Sequence, residues 1–340
     1  MIPKKVILDC DPGSDDAIAM MLAMKSDAID LIGVTTVNGN RIVPKTTENA
    51  LRVVQFMKSS VPVYRGCEEP IICNEIPGRK PGLPRVTLND CHGDFLPLPE
   101  AEIRTEKEHA VFYLVKTLME SEGDIYVAAV GPLTNLAMAL RIEPKIAGKI
   151  KQLVIMGGGH CGANASPAAE FNFYADPEAA KIVMDSAIPK VILPLDATWR
   201  ACLSEEKCKE LAQLGTPEAK VAAALVQKRI DNLKVNDVSE HNYALRHQAG
   251  TVAGAMLYRY DNHMAPIHDA LAIAYLINEN VVTELADATV DIDIAGGLCD
   301  GRMVADFHNT KKCKAPVTAK VALNSDAGLF TDMLFAALGK

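Results

Sequence analysis

The sequence has no excess of positive charge and no long apolar segment. Its 340 residues include 35 Lys and Arg against 43 Asp and Glu, a formal net charge of −8. Surfaces that bind nucleic acid or anionic lipid carry a positive field, so neither partner is expected. No apolar stretch approaches the roughly 20 residues that a membrane-spanning helix needs. We therefore expect a protein that binds neither nucleic acid nor a membrane.

Cysteine spacings typical of zinc sites and disulfide frameworks are also missing. The nine cysteines are an odd number and include no Cys-x-x-Cys pair, which is typical of reduced thiols in a cytosolic protein. The apolar segment behind Lys4 and Lys5 stops at Asp9, too soon for a signal peptide. We therefore expect a cytoplasmic location.

What the sequence does contain is an alternation of two patterns. Short β-branched segments predict strands at 5–9, 31–37, 61–64, 125–130, 152–156 and 191–195. Apolar residues at helical spacing predict helices at 15–24, 45–58, 109–120, 133–140 and 177–185. The alternation predicts an α/β fold, with an open, mostly parallel, doubly wound (Rossmann-like) sheet flanked by helices. In such sheets, sites form at the carboxyl ends of the strands.

Two stretches break the alternation. Residues 67–102 are rich in Pro and Gly, which predicts long loops, and residues from about 201 to 260 have a helical pattern. No linker or internal repeat separates either stretch from the rest. We predict one domain over residues 1–340, with a helical insertion at about 201–260 near the site.

Four carboxylates lie within eight residues at the end of the first predicted strand: Asp9, Asp11, Asp15 and Asp16. Their mutual repulsion would destabilise the fold unless a positive charge lies among them. Oxygen ligands favour a hard cation such as Ca²⁺ or Mg²⁺. Helix capping by Asp15 or Asp16 is the simpler alternative, but it does not account for Asp9 and Asp11. We therefore favour a cation site.

A second candidate is the dipeptide His268-Asp269, which precedes a predicted helix at 270–277. Taken alone, Asp269 could be a helix N-cap and His268 an exposed loop residue. Beside a cation site that needs more ligands, Asp269 becomes a third carboxylate. His268 becomes a candidate proton donor, because histidine titrates near neutral pH.

A third candidate is the segment that contains Asn164, Glu170 and Asn172. If the segment is extended, Glu170 and Asn172 face one side and Phe171 the other. A carboxylate with two amides suits a ligand rich in hydroxyls, such as a sugar. Polar loop residues are the alternative. The glycines at 157–159 lack the spacing of a phosphate-binding loop, so they predict a tight turn.

Together, these segments resemble the nucleoside hydrolases, or nucleoside N-ribohydrolases. The N-terminal fingerprint of that family resembles DCDPGSDDA, which begins at Asp9. The resemblance continues in the same order along the chain through TTVNGN from Thr35, GPLTN from Gly131, MGGG from Met156, EFN from Glu170, DPEA from Asp176 and HD at His268.

The resemblance implies a Ca²⁺ ion held by the carboxylates of Asp11, Asp16 and Asp269 and by the backbone carbonyl of Val130. Ribose hydroxyls and one water would complete its six to eight oxygen ligands. It also implies a set of residues that line the ribose pocket or hold the sugar hydroxyls: Asp15, Asn40, Met156, Asn164, Glu170 and Asn172.

The reaction implied is hydrolysis of the N-glycosidic bond of a ribonucleoside to free base and ribose. Water held at the ion would attack directly, with Asp11 as the general base. Carboxylates would stabilise the positive charge that develops on the ribose. His268 would protonate the leaving base, as in the group of the family that prefers inosine and uridine. This role of His268 favours inosine and uridine, or a broad range of nucleosides, as substrates.

Further expectations come from the same resemblance. His92 lies in a His-Gly pair similar to one in the family, so it is a candidate substrate contact. Relatives form dimers or tetramers, so we expect a homodimer or homotetramer that serves purine and pyrimidine salvage.

Two other functions are compatible with parts of the pattern. Phosphatases of the haloacid-dehalogenase type also have Asp-x-Asp after a strand, but Pro12-Gly13 departs from their usual continuation. A non-catalytic protein that binds nucleosides or ribose on the same fold is the second alternative.

Overall fold

The computed structural model of the chain describes residues 2–72, 75–76, 93–235, 263–308 and 316–340. Its strands, numbered along the chain, are β1 Lys4–Cys10, β2 Ile29–Thr36, β3 Val63–Arg65, β4 Ile125–Ala129, β5 Ile150–Met156, β6 Lys190–Leu193, β7 Cys202–Ser204, β8 Met264–Pro266, β9 Val282–Ile292, β10 Met303–Asp306 and β11 Ala319–Ser325. The α-helices are α1 Ser14–Lys25, α2 Val43–Phe56, α3 Ala110–Glu120, α4 Thr134–Ile142, α5 Phe171–Ala175, α6 Pro177–Met184, α7 Leu195–Thr198, α8 Glu205–Gln213, α9 Pro217–Val235, α10 His268–Ile277 and α11 Ala327–Leu338.

Nine strands form one sheet in the order β10-β9-β11-β6-β5-β4-β1-β2-β3. The pairs from β3 across to β11 are parallel, and only β9 and β10 add antiparallel pairs at one edge. The predicted mostly parallel α/β sheet is therefore confirmed. β7 and β8 form a separate antiparallel pair.

The apolar side chains of β1 explain why the sheet is covered on both faces. Val6 and Leu8 face a core with α1, α10 and α11, whereas Ile7 faces a second core with α3, α4 and α6. A strand that buries alternate side chains in two cores needs a continuous apolar sequence, as the pattern predicted.

The strand order locates the edge of the sheet where a site can form. From β1 the chain proceeds to β2 and β3 on one side, and β4, β5 and β6 lie on the other. The connections therefore diverge at the carboxyl ends of β1 and β4, which opens a crevice there. Asp11 follows β1 and Val130 follows β4, so both lie at this crevice.

Two local expectations need correction. The helix predicted at 270–277 begins two residues earlier, so His268 and Asp269 belong to the first turn of α10. The segment around Glu170 is not extended, because Glu170 is the N-cap of the short helix α5.

The part of residues 201–260 that the structure describes is largely helical, with α8 and α9 after the short strand β7. Residues 236–262 lie outside the described ranges. Within those ranges, no helix combines the length and the apolar character needed to cross a membrane.

Candidate active site

The turn between β1 and α1 is built around the carboxylate of Asp16. Its Oδ1 accepts a hydrogen bond from the backbone N–H of Asp11 at 3.1 Å, and its Oδ2 accepts one from Gly13 at 2.9 Å. Asp16 is fully buried. The capping alternative is therefore correct for Asp16, since this side chain satisfies backbone groups at the start of the helix.

The carboxylate of Asp11 lies in a cradle of backbone. Its Oδ2 accepts a hydrogen bond from the backbone N–H of Asn40 at 2.5 Å. A Cβ atom would lie 2.0 Å from this carboxylate at Gly39 and 2.7 Å from it at Gly131. Both positions must therefore be glycine for the backbone to approach so closely. The Asn40 side chain donates to the Asp11 carbonyl at 3.1 Å and to Asp16 Oδ2 at 3.3 Å.

Three acidic side chains converge where α1 and α10 begin. Ligand oxygens of Asp15, Asp16 and Asp269 all lie within 4.8 Å of one another, and all three residues are buried. Two of the three predicted carboxylate ligands, Asp16 and Asp269, belong to this group. The carboxylate of Asp11 is not part of it, although its charge acts on Asp269.

Burial and mutual repulsion disfavour negative charge in this cluster. Burial is the main cause that raises the pKa of Asp11 well above its usual value, and Asp16 adds to it. Burial likewise raises the pKa of Asp269, with Asp15 as the next cause. A divalent cation would relieve both effects, and an all-oxygen donor set suits Ca²⁺ or Mg²⁺. The residues present therefore fit such an ion.

Sequence reasoning missed one charged residue at this cluster. Arg229, on α9, places Nη1 2.9 Å from Oδ2 of Asp15, and the side chains are only 12% and 8% exposed. Its only sequence signal was its position in the predicted helical insertion. Nothing local in the sequence links it to Asp15.

The carbonyl of Val130, predicted as a metal ligand, is fixed by Asn172. The Asn172 side-chain amide donates to this carbonyl at 2.8 Å and to the carbonyl of Met156 at 3.0 Å. One side chain thus joins the carboxyl ends of β4 and β5. Asn172 and Met156 are both buried at this edge.

The Glu170 carboxylate binds backbone N–H groups of the glycine turn after β5 and of the first turn of α5. Its carboxylate accepts hydrogen bonds from the backbone N–H groups of Gly158 at 2.8 Å, Asn172 at 2.9 Å and Phe173 at 3.2 Å. Burial raises the pKa of Glu170 to about 7. Helix capping therefore brings Glu170 and Asn172 together, in place of the extended geometry expected.

Asn164 lies apart from this buried group. It is exposed, and its Oδ1 accepts a hydrogen bond from the backbone N–H of Phe171 at 2.8 Å. It lines a cavity of about 450 Å³ formed by residues 159–168 and Arg302.

His268, at the start of α10, contacts the side chain of Thr198. Its Nδ1 lies 2.8 Å from the hydroxyl oxygen of Thr198, on α7, and the residue is 9% exposed. This contact fixes the orientation of the ring. The other predicted histidine, His92, lies outside the described residues.

Asp9, for which the sequence indicated no separate role, ties three elements together. Its Oδ1 accepts hydrogen bonds from the Thr35 hydroxyl at 2.5 Å and the Asn135 side-chain amide at 2.7 Å. Burial raises the pKa of Asp9 to about 6. Thr35 and Asn135 lie in motifs recognised in the sequence, so the signal was present but their partner was not predictable.

Comparison with known proteins agrees with the resemblance seen in the sequence. A family model described as inosine-uridine preferring nucleoside hydrolase matches residues 6–332. The pyrimidine-specific ribonucleoside hydrolase RihB of Escherichia coli O157:H7 is 36% identical over 337 residues, which cover 97% of this chain and 95% of that protein.

Solved structures show the same overall fold. A plant nucleoside hydrolase, the PpNRh1 enzyme, has a TM-score of 0.82 at 26% identity, over 99% of both chains. A purine-preferring ribonucleoside hydrolase from Gardnerella vaginalis has a TM-score of 0.82 at 24% identity, over 99% of this chain and 98% of that one.

Proposed function

Because the chain belongs to the inosine-uridine preferring nucleoside hydrolase family, and is thus a hydrolase that acts on the N-glycosyl bond of ribonucleosides, we propose that it does so with Ca²⁺ and with uridine as a preferred substrate. Uridine is the pyrimidine nucleoside named in the family description, and one relative is described as pyrimidine-specific. Inosine is the second substrate that we propose. The phosphatase and the non-catalytic binding protein considered from the sequence are set aside by the family assignment.

The observation that carries the proposal is the buried convergence of Asp15, Asp16 and Asp269 at the crevice of the sheet. Asp16 and Asp269, together with Asp11 and the Val130 carbonyl, would hold the ion. When bound, Ca²⁺ would act as a Lewis acid toward the attacking water and would orient the ribose hydroxyls.

Asp11 is the proposed general base. Its Oδ2 accepts the Asn40 N–H, which fixes the carboxylate beside the crevice and leaves Oδ1 to take a proton from the attacking water. As the C1′–N bond breaks, positive charge develops on the ribose, and the surrounding carboxylates stabilise it. Direct attack by one water inverts the configuration at C1′.

His268 is the proposed acid for the leaving base. If the Thr198 hydroxyl donates to Nδ1, the ring is the tautomer that carries its proton on Nε2. That proton can then be given to the departing base. The contact at 2.8 Å supports this assignment because it orients the ring and is compatible with this tautomer.

The ribose contacts are proposed for the residues that meet at the same edge of the sheet. The side-chain amides of Asn40 and Asn172 are held by backbone carbonyls and, for Asn40, by the Asp16 carboxylate, so their oxygen atoms are preorganised for sugar hydroxyls. The other proposed ribose contacts are Asp15, Met156, Asn164 and Glu170. We also propose that the enzyme is cytoplasmic, serves nucleoside salvage and assembles as a homodimer or homotetramer, by analogy with its relatives.

A panel of ribonucleosides tests this proposal. Release of free base is measured for uridine, cytidine, inosine, adenosine and guanosine, before and after treatment with a Ca²⁺ chelator. We expect the highest kcat/KM for uridine, loss of activity with the chelator and recovery on addition of Ca²⁺. Full activity after chelation would contradict the metal assignment, and a preference for adenosine would contradict the substrate assignment.

A further inference from the structure

Two ion pairs join α9 to α1, one at each end of α1. Asp15, in the first turn of α1, pairs with Arg229 at 2.9 Å, and Lys25, in its last turn, pairs with Glu218 at 2.8 Å. Glu218 lies in the first turn of α9 and Arg229 three turns later. The two helices are therefore antiparallel along this contact.

The spacing of these pairs is matched on the two helices. At 1.5 Å per residue, Asp15 and Lys25 are about 15 Å apart along α1, and Glu218 and Arg229 are about 16 Å apart along α9. One antiparallel register therefore satisfies both pairs. This register places Arg229 at the acidic cluster.

The two ion pairs between α1 and α9 differ in burial. The Asp15 and Arg229 side chains are 8% and 12% exposed, whereas those of Lys25 and Glu218 at the other end are 23% and 16% exposed. A buried pair in a low-dielectric environment is costly to break, because each charge would be left without compensation. Loss of Arg229 would therefore leave the charge of Asp15 without this compensation.

The position of Asp15 makes this contact important for the metal. Asp15 oxygens lie within 4.8 Å of those of Asp16 and Asp269, so all three carboxylates could bind the same cation. The oxygen of Asp15 that contacts Arg229 is engaged with a guanidinium, which a divalent cation repels. Competition between these two positive charges determines which role Asp15 performs.

We propose that Arg229 is a positioning residue that withholds Asp15 from the metal ion and keeps it available for the ribose. This inference rests on the proposed Ca²⁺-dependent hydrolysis and deepens it. The proposal also assigns a role to the helical insertion. Its helix α9 supplies a positively charged side chain, which the turn between β1 and α1 does not contain.

The first test is Arg229→Gln, with Ca²⁺ affinity measured by calorimetry and kinetics measured with uridine. Without the guanidinium, Asp15 can turn to the ion and add a ligand. We expect Ca²⁺ to bind about tenfold more tightly and KM for uridine to rise about tenfold, with a smaller change in kcat. Thermal unfolding with Ca²⁺ present verifies that the variant is folded.

Three further variants isolate the contact. Arg229→Lys keeps the charge and should restore most of the wild-type Ca²⁺ affinity and KM. Lys228→Gln removes the neighbouring exposed cation of α9 and should change neither. In the double variant Asp15→Asn with Arg229→Gln, Ca²⁺ affinity should equal that of Asp15→Asn alone, because Arg229 acts through Asp15.

A measurement that leaves Arg229 intact covers the case in which Arg229→Gln does not fold. Asp269→Asn should lower Ca²⁺ affinity at least ten times more than Asp15→Asn, since of these two residues Asp269 alone is a proposed ligand. Equal losses in the two variants would overturn it. So would an Arg229→Gln protein with unchanged or weaker Ca²⁺ binding, or an effect that persists without Asp15.

Failure of the proposed function has a different signature. A wild-type protein that binds no Ca²⁺ would overturn the metal assignment on which this inference depends. A wild-type protein that binds Ca²⁺ and cleaves uridine, with Arg229→Gln indistinguishable from it, would overturn this inference alone.

Discussion

The Nδ1 atom of His268 lies 2.8 Å from the hydroxyl of Thr198, and this contact fixes the ring at the start of α10. The two residues are 70 positions apart in the chain and are carried by different helices. In the proposed mechanism the hydroxyl donates to Nδ1 and leaves the proton on Nε2, so Thr198 would act on the leaving base only through His268.

Removal of the Thr198 hydroxyl should therefore impair only the step that needs an acid. We expect Thr198→Val to lower kcat for uridine about tenfold and His268→Ala to lower it about a hundredfold, in the usual range for general acid catalysis. Both variants should retain most activity toward a nitrophenyl riboside, whose leaving group needs no proton. Equal losses on both substrates would exclude His268 as the acid.

Replacement of the proposed base should separate catalysis from binding. In Asp11→Asn the amide oxygen can still accept a hydrogen bond from the Asn40 N–H. The neutral amide cannot take a proton from water. We expect kcat to fall at least about a thousandfold, toward the upper range for loss of a general base. Ribose binding, measured by calorimetry with a non-hydrolysable analogue, should change far less. A variant that retains a tenth of wild-type kcat would contradict this role for Asp11.

The cradle around Asp11 predicts a strong effect of a single methyl group. In Gly39→Ala the new Cβ would lie 2.0 Å from Asp11 Oδ2, so the carboxylate or the loop must move. We expect kcat to fall at least about a hundredfold, because displacement by about 1 Å is enough for such losses. Gly148→Ala is the matched control, since a Cβ there meets nothing within 4 Å, and it should leave kcat unchanged.

Asp176 predicts a specific dependence of stability on pH. Burial raises its pKa from 3.8 to about 6, against the hydrogen bond from Thr134. The folded state thus keeps a proton that the unfolded state has lost between about pH 4 and pH 6, so this contribution to stability is present below pH 4 and is lost as the pH rises through 6. The loss amounts to about 3 kcal/mol on an order-of-magnitude scale.

The variant Asp176→Asn tests this contribution by denaturant unfolding at pH 4.5 and pH 7. Asn can still accept the hydrogen bond that the Asp176 carboxylate receives from the backbone N–H of Ala179 at the start of α6. The free energy of unfolding should fall less between the two pH values in the variant than in the wild type. Identical pH dependence in the two proteins would contradict the raised pKa.

Local errors in the sequence interpretation have local physical causes. The sequence predicts that Glu170 and Asn172 face one side if their segment is extended, but the Glu170 carboxylate accepts hydrogen bonds from three backbone N–H groups and caps a helix. A side-chain cap competes directly with extended backbone, and periodicity does not register it. The start of α10 at His268 was missed for the related reason that its N-cap, Ile267, makes no side-chain cap.

The alternation of strands and helices and the acidic turn after β1 can be predicted from the sequence because local periodicity and residue type encode them, and the parallel sheet is inferred from that alternation. The family resemblance already linked Asp269 to this turn, but the contact of Arg229 with Asp15 required the three-dimensional structure, since it depends on how α9 packs against α1. The approach of Asn172 to Val130 is of the same kind. Packing of distant segments follows from the shape of the whole core, which no local pattern encodes.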